Sequence, residues 1–149
     1  MTNPSISGDG AAIRGKRVVI CEDEAITVMH LARAFEKAGL KVVGSAADGM
    51  EALKVVKHEK PDIVTMDIHM PVMNGVDAIR RFMKESPACV VVISAFSDEE
   101  TRDAAMDAGA CAYISKPLNG KDVVREIERA YVQFRNGSPS PAVDAVTTS

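Results

Sequence analysis

The 149-residue sequence is poor in cysteine, in long apolar runs and in basic charge. Its three cysteines form an odd set without metal-type spacing, which predicts buried, reduced thiols. No apolar run exceeds about six residues, whereas roughly 20 are needed to span a bilayer, so a membrane protein is not expected. The formal net charge of -3 gives no general attraction for nucleic acid, whose binding domains usually carry a basic face. We therefore expect a cytoplasmic protein whose partners are proteins.

The remaining composition is that of one soluble globular domain, with 46% hydrophobic and 26% charged residues. Residues 1–15 are rich in small polar types and show no apolar period, which predicts a flexible leader. Residues 16–136 carry the periodic patterns of a folded domain. Residues 137–149 have neither period nor caps and are interpreted as a disordered tail or the start of a linker.

Short apolar runs alternate five times with segments of helical apolar spacing. The expected strands are residues 18–21, 41–45, 63–67, 89–94 and 111–115. Apolar side chains at successive strand positions indicate burial on both faces, which is typical of a parallel sheet covered by crossover helices. The fold class is therefore α/β. The expected helix N-caps are Asp48, Ser97 and Asn119, and Asn74-Gly75 is expected to open a helix.

Polar residues stand where the strands end, and in open α/β sheets ligand sites form beyond the carboxyl ends of the strands. Glu22 and Asp23 follow the first strand, Asp67 ends the third, Ser94 ends the fourth and Lys116 follows the fifth. Each alone has an ordinary structural explanation, such as a helix-dipole acid or a solvated lysine. Together, three carboxylates on one rim repel each other and need a cation. Oxygen ligands of this kind suit Mg²⁺, and a carboxylate beside Mg²⁺, a lysine and a hydroxyl favours phosphoryl transfer to an aspartate.

Four motifs at four strand ends resemble those of the response-regulator receiver family of two-component signalling. They are CEDEA, TMDIHMPVMNG, ISAF and AYISKP, in family order and spacing over about Lys16 to Phe134. The resemblance implies a five-stranded parallel sheet, doubly wound, in the flavodoxin-like order 2-1-3-4-5. Two positions depart from the commonest family residues: Glu22 replaces an aspartate and Ser94 a threonine.

By this similarity, Asp67 is the phosphoacceptor and takes its phosphoryl group from a histidine kinase or a histidine phosphotransfer protein. The implied Mg²⁺ ligands are Asp23 and Asp67 directly, Glu22 through water, and the main-chain carbonyl of His69. His69 and Phe96 would border the approach of water to the phosphorylated aspartate. Phe96 would exclude water and slow hydrolysis, whereas His69 could oppose this by orienting a water, and we expect the slow effect to prevail. We expect no turnover enzyme, only a protein that catalyses its own phosphorylation and dephosphorylation.

The resemblance also implies a switch. Lys116 would contact the phosphate, Ser94 would bond one of its oxygens, and Tyr113 would follow by turning inward. An effector protein would bind the surface of the fourth helix, fifth strand and fifth helix.

Three functions stay open at this point. The first is a stand-alone receiver, and the second is the receiver portion of a longer regulator with an output domain after residue 149. The third is an aspartate-nucleophile phosphatase, although such enzymes usually carry an acid two residues after the nucleophile, where this chain has His69.

Overall fold

The computed structural model describes residues 11–95, 98–116 and 119–137. The strands are β1 (Arg17–Cys21), β2 (Lys41–Ala46), β3 (Ile63–Met66), β4 (Cys89–Ser94) and β5 (Ala112–Ser115). The helices are α1 (Ala25–Lys37), α2 (Gly49–Glu59), α3 (Gly75–Glu85), α4 (Glu99–Ala108) and α5 (Gly120–Arg135). The predictions for Phe96 and for residues 138–149 fall outside the described residues.

The strands form one parallel sheet in the order β2-β1-β3-β4-β5, which confirms the predicted fold. Helices cover both faces, so the apolar core has two halves. One half packs side chains of α2, α3 and α4, such as Val56 and Phe82, against the sheet. The other half packs α1 and α5 on the opposite face, with Phe35 and Ile127 fully buried. Within the described residues, no helix has the length and apolar character needed to cross a membrane.

Two of the three predicted N-caps are confirmed, and Asn74 also caps the helix that it was expected to open. The side chains of Asp48, Asn74 and Asn119 each accept a hydrogen bond from the backbone N–H three residues on. The prediction of Ser97 for α4 is wrong, since the N-cap is Asp98 and Ser97 itself lies outside the described residues. The Asp98 carboxylate accepts hydrogen bonds from both the backbone N–H and the hydroxyl of Thr101, which satisfies one of the helix's free donors.

Regular structure is present before residue 16, where the folded domain was expected to begin. Residues Ala11–Ile13 form a short 3-10 helix, and the Ile13 side chain is fully buried beneath α5. The Ala12 N–H donates a hydrogen bond of 2.7 Å to Glu128, a fully buried residue of α5. The leader predicted up to residue 15 is therefore wrong in its last part, because one isolated apolar residue leaves no periodic signal.

Two buried side-chain atoms have no hydrogen-bond partner among the described residues: Gln133 Oε1 on α5 and the hydroxyl of Thr65 on β3, which is 1% exposed. We expect Thr65→Val to raise the free energy of unfolding by about 1 kcal/mol, because it removes an unsatisfied group at nearly constant volume. Urea denaturation measures the change. Thr101→Val is the matched control, because its hydroxyl donates to Asp98 at 2.8 Å, and it should give no gain. A destabilised Thr65→Val variant would contradict the assignment.

Candidate functional site

Each site residue continues a strand by one further backbone hydrogen bond. The Glu22 N–H donates to Ala46 on β2, and the Asp67 N–H donates to Cys21 on β1 at 2.9 Å. The Lys116 N–H donates to Ser94 on β4 at 2.8 Å. Because all five strands run parallel, these residues meet at one edge of the sheet, where the sequence analysis expected them.

Three carboxylates form the centre of this edge. One oxygen from each of Glu22, Asp23 and Asp67 lies within 4.8 Å of the other two. Glu22 is 3% exposed and Asp67 is 8% exposed, whereas Asp23 faces solvent. Such closely spaced charges repel each other in a partly dry environment. Carboxylate oxygens in this number are a donor set that suits Mg²⁺, which usually takes one or two carboxylates and keeps several waters.

The Lys116 ammonium lies among these acids. Its Nζ is 2.7 Å from Glu22 Oε1, 3.5 Å from Asp67 Oδ2 and 3.9 Å from Glu24 Oε1. Burial alone would lower the pKa of Lys116, but the hydrogen bond to Glu22 and the charges of the surrounding acids raise it overall. The lysine is therefore firmly protonated at neutral pH.

Glu22 is the acid that Lys116 contacts most closely. Burial raises the pKa of the Glu22 carboxyl, and the hydrogen bonds from Lys116 and from the Glu24 N–H offset this only in part. The extra methylene of glutamate relative to aspartate is accommodated by this direct ion pair. Glu22 therefore lies both in the three-carboxylate group and against the lysine, and its predicted contact with Mg²⁺ through water stays a prediction.

The loop that follows β3 positions the Asp67 carboxylate. Its Oδ1 accepts a hydrogen bond of 3.1 Å from the His69 backbone N–H. A Cβ built on Gly75 would lie 2.6 Å from the Asp67 carbonyl oxygen, so only glycine fits at the start of α3. His69 also lines a groove of about 540 Å³ between α3 and α4. The role of the His69 carbonyl as a metal ligand stays a prediction.

The same loop is strained at a residue that sequence analysis did not single out. Val72 is 78% exposed and has a φ of 70°, a left-handed conformation that β-branched residues rarely adopt. The turn is fixed on both sides, because the Met73 N–H donates to Pro71 and the Gly75 N–H donates to Ile68, both at 2.8 Å. Strain of this kind persists only where surrounding contacts determine the conformation. The contacts that position Asp67 and α3 therefore also hold Val72.

Ser94 and Tyr113 lie on adjacent strands. Ser94 is the last residue of β4, and Tyr113 lies within β5. Ser94 is fully buried, and its hydroxyl is hydrogen-bonded to the Tyr113 hydroxyl. Burial raises the pKa of Tyr113 more than the bond to Ser94 lowers it. The two predicted switch residues are thus in direct contact, and a movement of one hydroxyl changes the hydrogen bonding of the other.

The site residue that sequence analysis missed is Glu24. The sequence analysis gave it no part at the strand ends, but its carboxylate lies 3.9 Å from the Lys116 ammonium. Three acids in a row after β1 are the signal that could have found it. Its side chain is 69% exposed, so this contact is the weakest that the lysine makes.

A doubly wound parallel sheet with three carboxylates and a lysine at the carboxyl ends of its strands defines the class: an α/β domain with an acidic site at that edge. The model of the response regulator receiver domain matches residues 18–128. The chain belongs to the response regulator receiver family, which confirms the resemblance found in the sequence.

Two curated relatives illustrate the match. The transcriptional regulatory protein PdtaR of Mycobacterium tuberculosis is 42% identical over 135 residues, covering 91% of this chain and 65% of PdtaR. The chemotaxis protein CheY of Thermotoga maritima is 45% identical over 116 residues, covering 77% of this chain and 97% of CheY. The chain thus spans nearly all of CheY but less than two thirds of the length of PdtaR.

Solved structures show the same fold. The response regulator domain of Thermotoga maritima CheB is similar to this chain with a TM-score of 0.74 and 32% identity, over 79% of this chain and 97% of that one. A chain of the CheX–CheY–BeF3–Mg complex of Borrelia burgdorferi gives a TM-score of 0.76 at 32% identity, over 79% of this chain and 90% of that one.

Proposed function

We propose that this chain is a phosphorylation-driven signalling switch in which Asp67 accepts a phosphoryl group. The donor is the phosphohistidine of a histidine kinase or of a histidine phosphotransfer protein. The observation that carries the proposal is the surroundings of Asp67: its carboxylate is nearly buried, lies 3.5 Å from the Lys116 ammonium and groups with two other carboxylates within 4.8 Å.

The chemistry follows from what these side chains can do. A carboxylate oxygen of Asp67 attacks phosphorus, the P–N bond to the donor histidine breaks, and the acyl phosphate forms on Asp67. Asp23, Asp67 and the His69 carbonyl, with Glu22 through water, would hold Mg²⁺, which would supply positive charge to neutralise the phosphoryl oxygens. Lys116 lies 2.7 Å from Glu22 and 3.5 Å from Asp67, so a small shift of its ammonium reaches a phosphoryl oxygen.

Phosphorylation adds a charge of about -1.5 to -2 and three acceptor oxygens at this edge of the sheet. Ser94 follows by bonding a phosphate oxygen, which breaks or reorients its hydrogen bond to Tyr113. The change reaches the surface of α4, β5 and α5, where an effector protein binds. The similarity to a chain of a complex that holds CheX, CheY, BeF3 and Mg supports protein partners and magnesium for this chain as well.

The proposal treats the chain as a switch that catalyses only its own phosphorylation and dephosphorylation. It acts in the cytoplasm and through protein contacts, without direct binding of nucleic acid. It is either a stand-alone receiver or the receiver portion of a longer regulator. Its relatives include a chemotaxis protein and a transcriptional regulatory protein, so the family leaves the effector open.

Incubation with acetyl phosphate, with and without Mg²⁺, tests the function. We expect one acyl phosphate per chain, formed only with Mg²⁺ and located at Asp67 by peptide mass spectrometry. A generic phosphate ester should give no multiple turnover. Repeated turnover of such an ester would favour the phosphatase, and phosphorylation without Mg²⁺ would contradict the metal site.

Mg²⁺ should also stabilise the folded chain. At ten times its dissociation constant, a ligand that binds only the folded state adds about 1.4 kcal/mol to the free energy of unfolding. We expect Asp23→Asn to remove most of this gain, because it deletes one of the three grouped carboxylates. Glu24→Gln is the matched control, since the adjacent acid lies outside that group, and it should keep the gain. Thermal unfolding in Mg²⁺ and in EDTA measures the difference; equal losses in both variants would argue against a specific site.

A further inference from the structure

Two of the three cysteines lie beside each other at the amino-terminal edge of the sheet. Cys89 is the first residue of β4 and is fully buried, and Cys111 directly precedes β5 and is 9% exposed. The Cys111 N–H donates a hydrogen bond of 2.7 Å to Val90, the residue after Cys89. Both cysteines belong to the core half beneath α1 and α5, so their side chains lie on the same face of the sheet.

The strand register brings their backbones within disulfide range. Val91 pairs with Ala112, which makes Cys111 a neighbour of Val90 and a diagonal neighbour of Cys89. A strand spacing of about 4.8 Å and a rise of about 3.3 Å per residue place the two Cα atoms roughly 5.8 Å apart. Disulfides usually span Cα distances of about 4.4 to 6.8 Å. A bond between these sulfurs therefore needs no large backbone movement.

We propose that Cys89 and Cys111 form a peroxide-sensitive dithiol that closes to an intramolecular disulfide on oxidation. The oxidant is hydrogen peroxide or an organic hydroperoxide. The site is separate from the phosphoacceptor, because it lies at the opposite ends of β4 and β5 from Ser94 and Lys116. In a reducing compartment the pair is a dithiol, and disulfides of such proteins are typically transient and redox-sensing.

The two thiols have different parts in the reaction. The hydrogen bond between them lowers the pKa of Cys111 and raises that of Cys89, whose burial raises it further. Cys111 is also the more exposed of the two. Its thiolate attacks the peroxide O–O bond and becomes a sulfenic acid, releasing hydroxide, which takes up the proton that the thiol lost. The Cys89 sulfur then attacks the sulfenic sulfur, and its proton leaves with the hydroxyl as water. The sum is two thiols and one hydrogen peroxide giving one disulfide and two waters.

Cys21 provides an internal control. It is also buried, but it lies in the other half of the core, beneath α2, α3 and α4. Burial raises the pKa of its thiol to about 12, so it is almost entirely protonated at neutral pH. A protonated thiol reacts poorly with peroxide, because the thiolate is the nucleophile. Cys21 should therefore remain reduced under conditions that oxidise the pair.

Peroxide treatment of the folded wild-type chain, followed by alkylation and tryptic peptide mapping, tests the proposal. Arg102 separates the two cysteines, so a disulfide joins two distinct peptides. We expect the free thiols to fall from three to one, with Cys21 alkylated and Cys89 linked to Cys111. The proposal is overturned if all three thiols survive peroxide that oxidises a small-molecule thiol, if Cys21 reacts as fast as the pair, or if the disulfide forms between chains.

Single substitutions test the order of the steps. In Cys89→Ala, the Cys111 sulfenic acid has no resolving thiol and should be trapped by dimedone. In Cys111→Ala, Cys89 should stay reduced and give no dimedone adduct. Cys21→Ala should still form the disulfide. Because the wild-type peptide map needs no variant, a poorly folding substitution leaves the main test intact. Dimedone labelling of Cys89 in Cys111→Ala at the rate seen for Cys111 would contradict the assigned order.

Discussion

Asp67→Asn should abolish Mg²⁺-dependent phosphorylation of the chain while preserving its fold. The substitution is nearly isosteric, but the amide lacks the charge of the attacking oxygen and contributes no anionic ligand to a cation. The Asn oxygen can still accept the backbone hydrogen bond that His69 donates to Asp67 at 3.1 Å. Removing one of three carboxylates within 4.8 Å also relieves repulsion, so the variant should be at least as stable as the wild type in EDTA.

Acetyl phosphate labelling with Mg²⁺, together with thermal unfolding, measures both effects. Asp77→Asn is the matched control, because this exposed acid lies in the first turn of α3 and its ion pair is with Arg80, at 3.2 Å. It should be phosphorylated like the wild type. Stable labelling of Asp67→Asn at another residue would refute the assignment of the acceptor.

Most strands and helices could be predicted because local sequence patterns indicate which segments are buried and where helices begin. The run from Cys89 to Ser94 is apolar at nearly every position, and the structure has a strand with these bounds, buried throughout. Asp48 and Asn119 were found as N-caps because a cap acts on the backbone only three residues away. The strand order, by contrast, came from the family resemblance, since neighbouring strands are far apart in sequence.

Contacts between distant segments could not be predicted in this way. Glu128 stands on a helix whose other two acids, Asp122 and Glu126, reach solvent, and nothing in its sequence neighbourhood marks it as fully buried. Its bond from Ala12 spans 116 residues, and the buried Ile13 beside that contact has no periodic partner. The sequence therefore predicted a flexible leader where the structure has a short docked helix.

The acidic site likewise has features that the sequence predicted and features that it did not. Strand ends in a parallel sheet share one edge, so the residue types at the site followed from the pattern. The pattern did not predict which acid pairs with Lys116. That pairing depends on the lengths of side chains that are 94 residues apart in sequence. The longer Glu22 side chain reaches the ammonium at 2.7 Å, ahead of Asp67 at 3.5 Å. That pairing makes the lysine important for the unphosphorylated fold as well as for the switch.

Lys116→Ala should therefore destabilise the unphosphorylated chain in EDTA and uncouple phosphorylation from effector binding. Glu22 has only 2% of its side chain exposed, and losing its partner leaves an uncompensated charge beside Asp67. Breaking a buried pair in this way costs about 3 kcal/mol, the lower end of the usual range, because 19% of the lysine side chain is exposed. Mg²⁺ should restore part of the lost stability, because it neutralises the same acids. Lys116→Arg should not restore coupling, because a planar fork does not replace a compact ammonium.

A double substitution separates the charge effect from a loss of packing. Glu22→Gln in the Lys116→Ala background removes the uncompensated charge and keeps an oxygen for the Glu24 N–H, which lies 3.2 Å from the Glu22 carboxylate. We expect it to recover most of the stability lost in EDTA, while effector coupling stays absent because the contact to the phosphate is still missing. Urea denaturation and a pull-down with the phosphorylated variants provide the two readouts. If Lys116→Ala has wild-type stability in EDTA, or binds the effector normally once phosphorylated, the corresponding role of the lysine is wrong.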